Sequence, residues 1–106
     1  MIVEDQPGIR DGLRLLIGNT PNYCCTGVFG SMEEALPAIS PAVADVVLID
    51  LGLPGMSGVD GIGELSRRHP RLRLVVLTIY EDDERIFDAL CAGAAGNLLK
   101  KPHPRA

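Results

Sequence analysis

The chain has few of the residues that form disulfides and thiolate or imidazole metal sites. Its 106 residues include only three cysteines and two histidines. An odd cysteine count argues against a disulfide framework, and the adjacent Cys24 and Cys25 should point to opposite faces of a strand predicted for residues 23–29, so they cannot easily pair. His69 and His103 are too far from each other and from the cysteines to suggest a zinc site. We therefore expect buried, reduced thiols in a cytoplasmic protein.

Long apolar runs and basic clusters are also missing. No apolar segment approaches the roughly 20 residues that span a bilayer, and the opening Met-Ile-Val-Glu-Asp is too short and too acidic for a signal peptide. The formal net charge is −4, without a basic stretch of the kind that binds nucleic acid. The sequence therefore predicts neither a membrane segment nor direct nucleic-acid binding by this chain.

Short apolar runs instead alternate with amphipathic segments. Strands are predicted at residues 2–3, 23–29, 45–50, 72–78 and 97–99, and helices at 8–19, from 31, from 59 to 68, and from 81 to about 92. In the last helix, Ile86, Phe87 and Leu90 are predicted to form the apolar stripe. Five strands alternating with four helices indicate an α/β fold with a doubly wound parallel sheet, in one domain that covers residues 1–106.

Polar side chains follow several of these strands. Asp50 ends an apolar strand, where a buried segment has no structural use for a charge. Glu4 and Asp5 follow the first strand, Thr78 ends the fourth, and Lys100 follows the fifth. Because parallel strands end at one edge of the sheet, where ligands bind, we expect these side chains to lie together.

Three carboxylates at one edge repel each other unless a cation lies among them. Mg²⁺ suits a site with two carboxylates and water molecules. Lys100 and Mg²⁺ then offer positive charge to an anion and Thr78 offers a hydrogen bond, which together describe a phosphoryl pocket with Asp50 as nucleophile. The alternative for Glu4 and Asp5 is an acidic pair that stabilises the N-terminus of the following helix.

Four segments resemble the receiver domain of bacterial two-component response regulators, in the subfamily whose receivers precede a helix-turn-helix DNA-binding domain. They are Val-Glu-Asp at 3–5, Leu-Ile-Asp-Leu-Gly-Leu-Pro-Gly-Met-Ser-Gly at 48–58, Val-Val-Leu-Thr at 75–78 and Gly-Asn-Leu-Leu-Lys at 96–100. The resemblance covers essentially the whole chain. It implies a flavodoxin-like, five-stranded parallel sheet in the order 2-1-3-4-5.

The resemblance also implies a role for each site residue. Asp50 would accept a phosphoryl group from a phosphohistidine of a sensor histidine kinase. Asp5, Asp50 and the backbone carbonyl of Gly52 would bind Mg²⁺, and Glu4 would act mainly through a metal-bound water. Such a domain is not an enzyme in the usual sense, since it catalyses at most its own phosphotransfer and dephosphorylation.

Lys100 and Thr78 would contact the phosphoryl oxygens. The phosphorylation state would be relayed to an output domain or a protein partner, with transcription regulation in the cytoplasm as the outcome. The position three before the lysine, usually aromatic in this family, is Asn97 here.

Both ends of the chain look truncated relative to the family. The first strand is shortened and the fifth helix is missing from the sequence, which ends at Ala106. We expect the uncovered apolar surface to favour a homodimer.

Two other functions stay open: a phosphorylation-independent interaction module, and a metal-dependent hydrolase with Asp50 as nucleophile. The second is disfavoured, since the sequence offers no general base or specificity pocket.

Overall fold

The computed structural model describes residues 1–78 and 83–99, of which residues 78, 83 and 97–99 are described by their backbone alone. Strands and helices alternate throughout this part of the chain: β1 (Ile2–Val3), α1 (Pro7–Gly18), β2 (Val28–Phe29), α2 (Met32–Ala35), β3 (Val46–Asp50), α3 (Gly58–Arg68), β4 (Arg73–Thr78), α4 (Asp83–Ala92) and β5 (Gly96–Leu99).

The five strands form one parallel sheet in the order β2-β1-β3-β4-β5. The predicted α/β fold and strand order are therefore confirmed, as is the short first strand, which has two residues. All strands end on one edge of the sheet, because all are parallel. The predicted lack of a fifth helix concerns residues 100–106, which lie outside the described part of the chain.

The second strand is shorter than predicted. It was expected to start at Tyr23, but regular pairing begins only at Val28. The reason lies in its neighbour, since β1 offers only two residues as pairing partners and leaves residues 23–27 without a strand beside them.

The expectation of buried thiols is wrong for two of the three cysteines. All three are free, as expected, but Cys24 and Cys91 are exposed and Cys25 is half-buried. Cys24 and Cys25 precede the shortened strand, so no sheet covers them.

The main core lies between the central strands and helices α2, α3 and α4. Its members are buried apolar side chains, among them Met32, Ala35, Val47, Ile49, Ile62, Leu65, Val76 and Ala89.

The predicted stripe of α4 is partly wrong. Ala89 is fully buried, but Phe87 is 64% exposed and Leu90 43% exposed. Ala89 therefore lies on the buried face of α4, and the larger side chains at positions 87 and 90 lie toward the surface.

Helix α1 has no buried residue, and its Leu15 and Leu16 are 63% and 64% exposed. Among the helices in the described ranges, none has the length and apolar character needed to cross a membrane.

Candidate functional site

Strands β1 and β3 carry the acidic residues to one edge of the sheet. The register pairs Ile2 with Leu48 and Val3 with Ile49, so the next step places Glu4 beside Asp50. The Glu4 N–H also donates to the Phe29 carbonyl across the sheet, at 2.9 Å. Pairing with β3 on one side and with β2 on the other therefore fixes the backbone at Glu4, directly after the end of β1.

Glu4, Asp5 and Asp50 form one compact cluster, as the sequence predicted. One carboxylate oxygen from each lies within 4.8 Å of the others. Glu4 is 0% exposed and Asp50 5% exposed, whereas Asp5 is half-buried. Burial weakens screening by water, so the three negative charges repel strongly and the cluster favours a cation among them.

Backbone N–H groups satisfy part of this cluster. Asp50 Oδ1 accepts from the Gly52 N–H at 3.1 Å, and Glu4 Oε2 accepts from the Gln6 N–H at 3.4 Å. Because Gln6 is the N-cap residue of α1, the hydrogen bond to Glu4 is also consistent with the alternative role of the acidic pair at the N-terminus of that helix.

The loop at residues 51–57 is anchored where it leaves Asp50. Leu51 and Leu53 are buried, at 2% and 7% exposure, whereas Gly52 between them is exposed. Gly58 then starts α3 in tight contact with the Asp50 backbone, and an added Cβ there would collide with the Asp50 carbonyl oxygen. The backbone beside the carboxylate is therefore closely packed on both sides.

Two residues that sequence reasoning missed hold this loop from outside. Arg85 of α4 donates from Nη2 to the Leu51 carbonyl at 2.7 Å. Glu33 of α2 accepts from the Met56 N–H with Oε2 at 3.0 Å. Both contacts join parts of the chain more than 20 residues apart, so no local pattern could have identified them.

The Glu33 contact also changes the acidity of its carboxyl. The hydrogen bond from the Met56 N–H, helped by the backbone N–H of Glu33 itself, stabilises the charged form and lowers the pKa of Glu33 below its ordinary value of 4.5. The neighbouring Gly55 has φ of +74°, and a Cβ there would collide with the Glu33 carboxylate. Glycine therefore suits both the backbone conformation and the close approach of α2.

The remaining predicted site residues are only partly described. The Thr78 backbone ends β4 and pairs with Leu99, at the same edge of the sheet as Asp50. Lys100 follows directly and lies outside the described residues. The backbone of Asn97 lies in β5 opposite Val76.

A cavity of about 500 Å³ lies elsewhere in the molecule. Its lining includes Met1 and Val46, at the N-terminal ends of β1 and β3, together with Ile17 and Tyr23. This is the sheet edge opposite the acidic cluster, so the cavity is not part of the site.

The family model of the response regulator receiver domain matches residues 1–106. The chain belongs to this family. Receiver domains are signalling domains rather than classical enzymes, so membership favours the signalling hypothesis over a hydrolase and confirms the resemblance drawn from the four segments.

Relatives of this receiver include named transcription regulators. The DNA-binding transcriptional activator DevR/DosR of Mycobacterium tuberculosis is 37% identical over 99 residues, which cover 93% of this chain and 46% of that protein. The nitrate/nitrite response regulator NarL of Escherichia coli is 30% identical over 104 residues, which cover 98% and 48%. The chain thus spans about half the length of these curated relatives.

Solved structures agree with this assignment. A two-component response regulator of the LuxR family from an Aurantimonas species has a TM-score of 0.88 and 29% identity, over 95% of this chain and 72% of that chain. The receiver fold described above is therefore shared with an experimentally solved relative.

Proposed function

We propose that residues 1–106 form one receiver domain that acts as a phosphorylation-controlled switch, with Asp50 as phosphoacceptor. The observation that carries this proposal is the cluster of three carboxylates at the end of β1 and β3, with Asp50 almost completely buried within it. A buried cluster of like charges lowers the stability of the fold. Its presence therefore indicates a function. Phosphoryl transfer with a bound cation is the use that its chemistry fits best.

The donor set fits Mg²⁺. Mg²⁺ prefers oxygen ligands, and one carboxylate oxygen from each of the three acids lies within 4.8 Å of the others. Asp5, Asp50 and the Gly52 carbonyl would bind the ion, with Glu4 acting mainly through a bound water. When bound, Mg²⁺ supplies the positive charge that offsets repulsion between the acids and the phosphoryl group.

Phosphoryl transfer then requires only one nucleophile from this chain. A carboxylate oxygen of Asp50 forms a bond to phosphorus while the bond from phosphorus to the donor breaks, and the donor keeps that electron pair. With a phosphohistidine as donor, the leaving group is the imidazole nitrogen. Lys100 would pair with the phosphoryl oxygens and Thr78 would hydrogen-bond them. At most, the domain catalyses this transfer and its own dephosphorylation.

The partners follow from the same chemistry. We propose a sensor histidine kinase as donor in the cytoplasm, and an output domain or protein partner as recipient of the signal. Relatives of this chain named as a DNA-binding activator and a nitrate/nitrite response regulator support transcription regulation as the outcome. With a net charge of −4 the chain itself is poorly suited to bind DNA.

Homodimer formation belongs to this proposal. Exposed apolar side chains occur on α1, at Leu15 and Leu16, and on α4, at Phe87 and Leu90. Sedimentation velocity of the 106-residue protein should show a dimer. Leu16→Glu should dissociate a dimer formed through α1, and Phe87→Glu should dissociate one formed through α4. A monomer at all concentrations up to the millimolar range would contradict it.

Intact-mass measurement tests the central claim. The protein is incubated with acetyl phosphate and Mg²⁺, and we expect the addition of one phosphoryl group. Asp50→Asn should abolish the adduct, and removal of Mg²⁺ with EDTA should slow its formation strongly. Asp45→Asn is the matched control, because Asp45 precedes the same strand at the opposite edge of the sheet, and it should leave the adduct unchanged.

Each other outcome has a defined meaning. A folded protein without any adduct favours the phosphorylation-independent interaction module. An adduct that persists in Asp50→Asn would refute the assignment of the phosphoacceptor. Sustained turnover of varied phosphate esters would support the hydrolase instead.

A further inference from the structure

One peptide group joins α4 to the phosphoacceptor. The amide between Leu51 and Gly52 donates its N–H to Asp50 Oδ1 at 3.1 Å. Its C=O accepts from Nη2 of Arg85 at 2.7 Å. A continuous hydrogen-bonded path therefore runs from the guanidinium on α4, through a single amide, to the carboxylate of Asp50.

Both ends of this path are charged, which makes it stronger than a neutral pair of hydrogen bonds. The guanidinium is a planar cation. It polarises the carbonyl that it contacts, and a polarised amide is a better N–H donor at its other end. The electrostatic states of Arg85 and Asp50 are thereby coupled.

The connecting amide is held in a fixed orientation. The Leu51 side chain is 2% exposed, and its N–H donates to the Leu77 carbonyl of β4 at 3.3 Å. The loop therefore cannot rotate freely at Leu51 when the charge of Asp50 changes.

We propose that Arg85 is a positioning residue that couples the stability of α4 to the chemical state of Asp50 through the Leu51–Gly52 amide. This inference rests on the proposed function and adds a route by which phosphorylation reaches a surface helix. It matters because Asn97 stands where the family usually has an aromatic residue.

The direction of the effect follows from charge. Phosphorylation of Asp50 replaces the single charge of the carboxylate by nearly two negative charges, and it adds three strong acceptor oxygens near a guanidinium that already contacts the same loop. The positive guanidinium attracts this added negative charge across the intervening amide, which it polarises further. Phosphorylation should therefore hold α4 more firmly against the loop.

Hydrogen exchange of the α4 amides measures this coupling. The protein is compared in Mg²⁺ alone and in Mg²⁺ with beryllium fluoride, a stable mimic of the aspartyl phosphate, whose binding is followed by ¹⁹F NMR. We expect the adduct to slow α4 exchange by about fivefold or more, the lower range of coupling between sites. In Arg85→Ala the slowing should fall to about twofold or less, while the adduct still forms.

Two further variants separate coupling from a general loss of structure. Arg85→Lys keeps the charge but not the planar fork, so it should retain part of the response. Arg67→Ala is the matched control, because Arg67 is an exposed arginine of the adjacent helix α3 that pairs with Glu64, and its response should equal that of the wild type. Should Arg85→Ala fail to fold, Arg85→Gln carries the same comparison.

The test distinguishes failure of this inference from failure of the proposed function. If the adduct forms in Arg85→Ala and α4 still responds as in the wild type, the coupling role of Arg85 is refuted and Asp50 phosphorylation stands. If the wild type forms no adduct with beryllium fluoride or acetyl phosphate, both proposals fall together.

Discussion

At the scale of single residues, the surroundings of Asp50 depend on a small neighbour, Gly58, as much as on the neighbouring acids. Asp50 is almost buried and lies within 4.8 Å of two other acids. Its carbonyl oxygen faces Gly58 at a distance that only a hydrogen in place of Cβ allows. Gly58, at the end of the segment at 48–58, is therefore a structural requirement of the site as well as a feature of the loop.

Substitution of Gly58 tests this packing. In Gly58→Ala the new methyl group would collide with the Asp50 carbonyl oxygen and lie 3.0 Å from Leu51 Cα. Overpacking of this kind costs about 1–3 kcal/mol, so the free energy of unfolding in urea should fall by that amount and phosphorylation by acetyl phosphate should slow. Gly63→Ala is the control, since a Cβ there meets nothing within 4 Å, and better helix propensity should stabilise the protein by up to about 1 kcal/mol. Equal effects of the two substitutions would contradict the packing argument.

At the scale of elements, the loop after β3 is held between two helices. Helix α2 has only four residues and ends just before Pro37, yet its Glu33 reaches the Met56 N–H. Helix α4 contributes Arg85 to the opposite end of the same loop. The loop conformation next to Asp50 is thus set by contacts from α2 and α4 rather than by its own turn residues alone.

The Glu33 contact predicts a specific dependence on pH. Because its pKa is lower in the folded protein than the ordinary value of 4.5, the folded state binds fewer protons there than the unfolded state. The contribution of Glu33 to stability is therefore complete above about pH 4.5 and is lost as the pH falls through the folded pKa. Carboxyl ¹³C NMR should show Glu33 titrating below 4.5.

Urea denaturation provides the matching stability measurement. Glu33→Gln should reduce the acid-dependent loss of stability below about pH 4.5. A Glu33 titration at or above 4.5 would show that the contact with Met56 is not maintained in solution.

At the scale of the whole molecule, the sheet gathers residues that the sequence separates. Glu4 and Asp50 belong to strands far apart in sequence that pair side by side. Repulsion within the resulting cluster opposes folding, and a bound cation relieves it. Metal binding at this edge of the sheet would therefore be thermodynamically linked to folding.

Thermal unfolding measures that linkage. A ligand at about 100 times its dissociation constant stabilises the folded state by about 2.7 kcal/mol, so Mg²⁺ at saturating concentration should raise the melting temperature by several degrees. Asp50→Asn should behave in the opposite way: more stable than the wild type without Mg²⁺, because one of three repelling charges is gone, and much less responsive to Mg²⁺. A variant that is less stable in EDTA than the wild type would contradict repulsion as the dominant effect.

Much of this fold and site could be predicted from the sequence. The apolar runs at 45–50 and 72–78 indicated strands buried on both faces, and the alternation with helices indicated a parallel sheet. The polar residues at the strand ends were then expected to meet at one edge, and the cluster of Glu4, Asp5 and Asp50 confirms this for the three acids. These predictions succeeded because they depend on local periodicity and on one topological rule.

The errors arose where the neighbours of a segment decide its structure. Residues 23–27 have the composition of a strand but no partner beyond the two residues of β1. Phe87 and Leu90 are apolar, yet Ala89 takes the buried position on α4 and these two side chains lie at the surface. No periodicity within a helix or strand contains that information.

By itself, then, the sequence determined the order of the strands, the acids at their ends and the family to which the chain belongs. Only the tertiary structure decided which residues hold the loop beside Asp50. Glu33 and Arg85 reach it from helices more than 20 residues away in sequence. Such contacts depend on how helices pack against the sheet, and packing is a property of the assembled core rather than of any local segment.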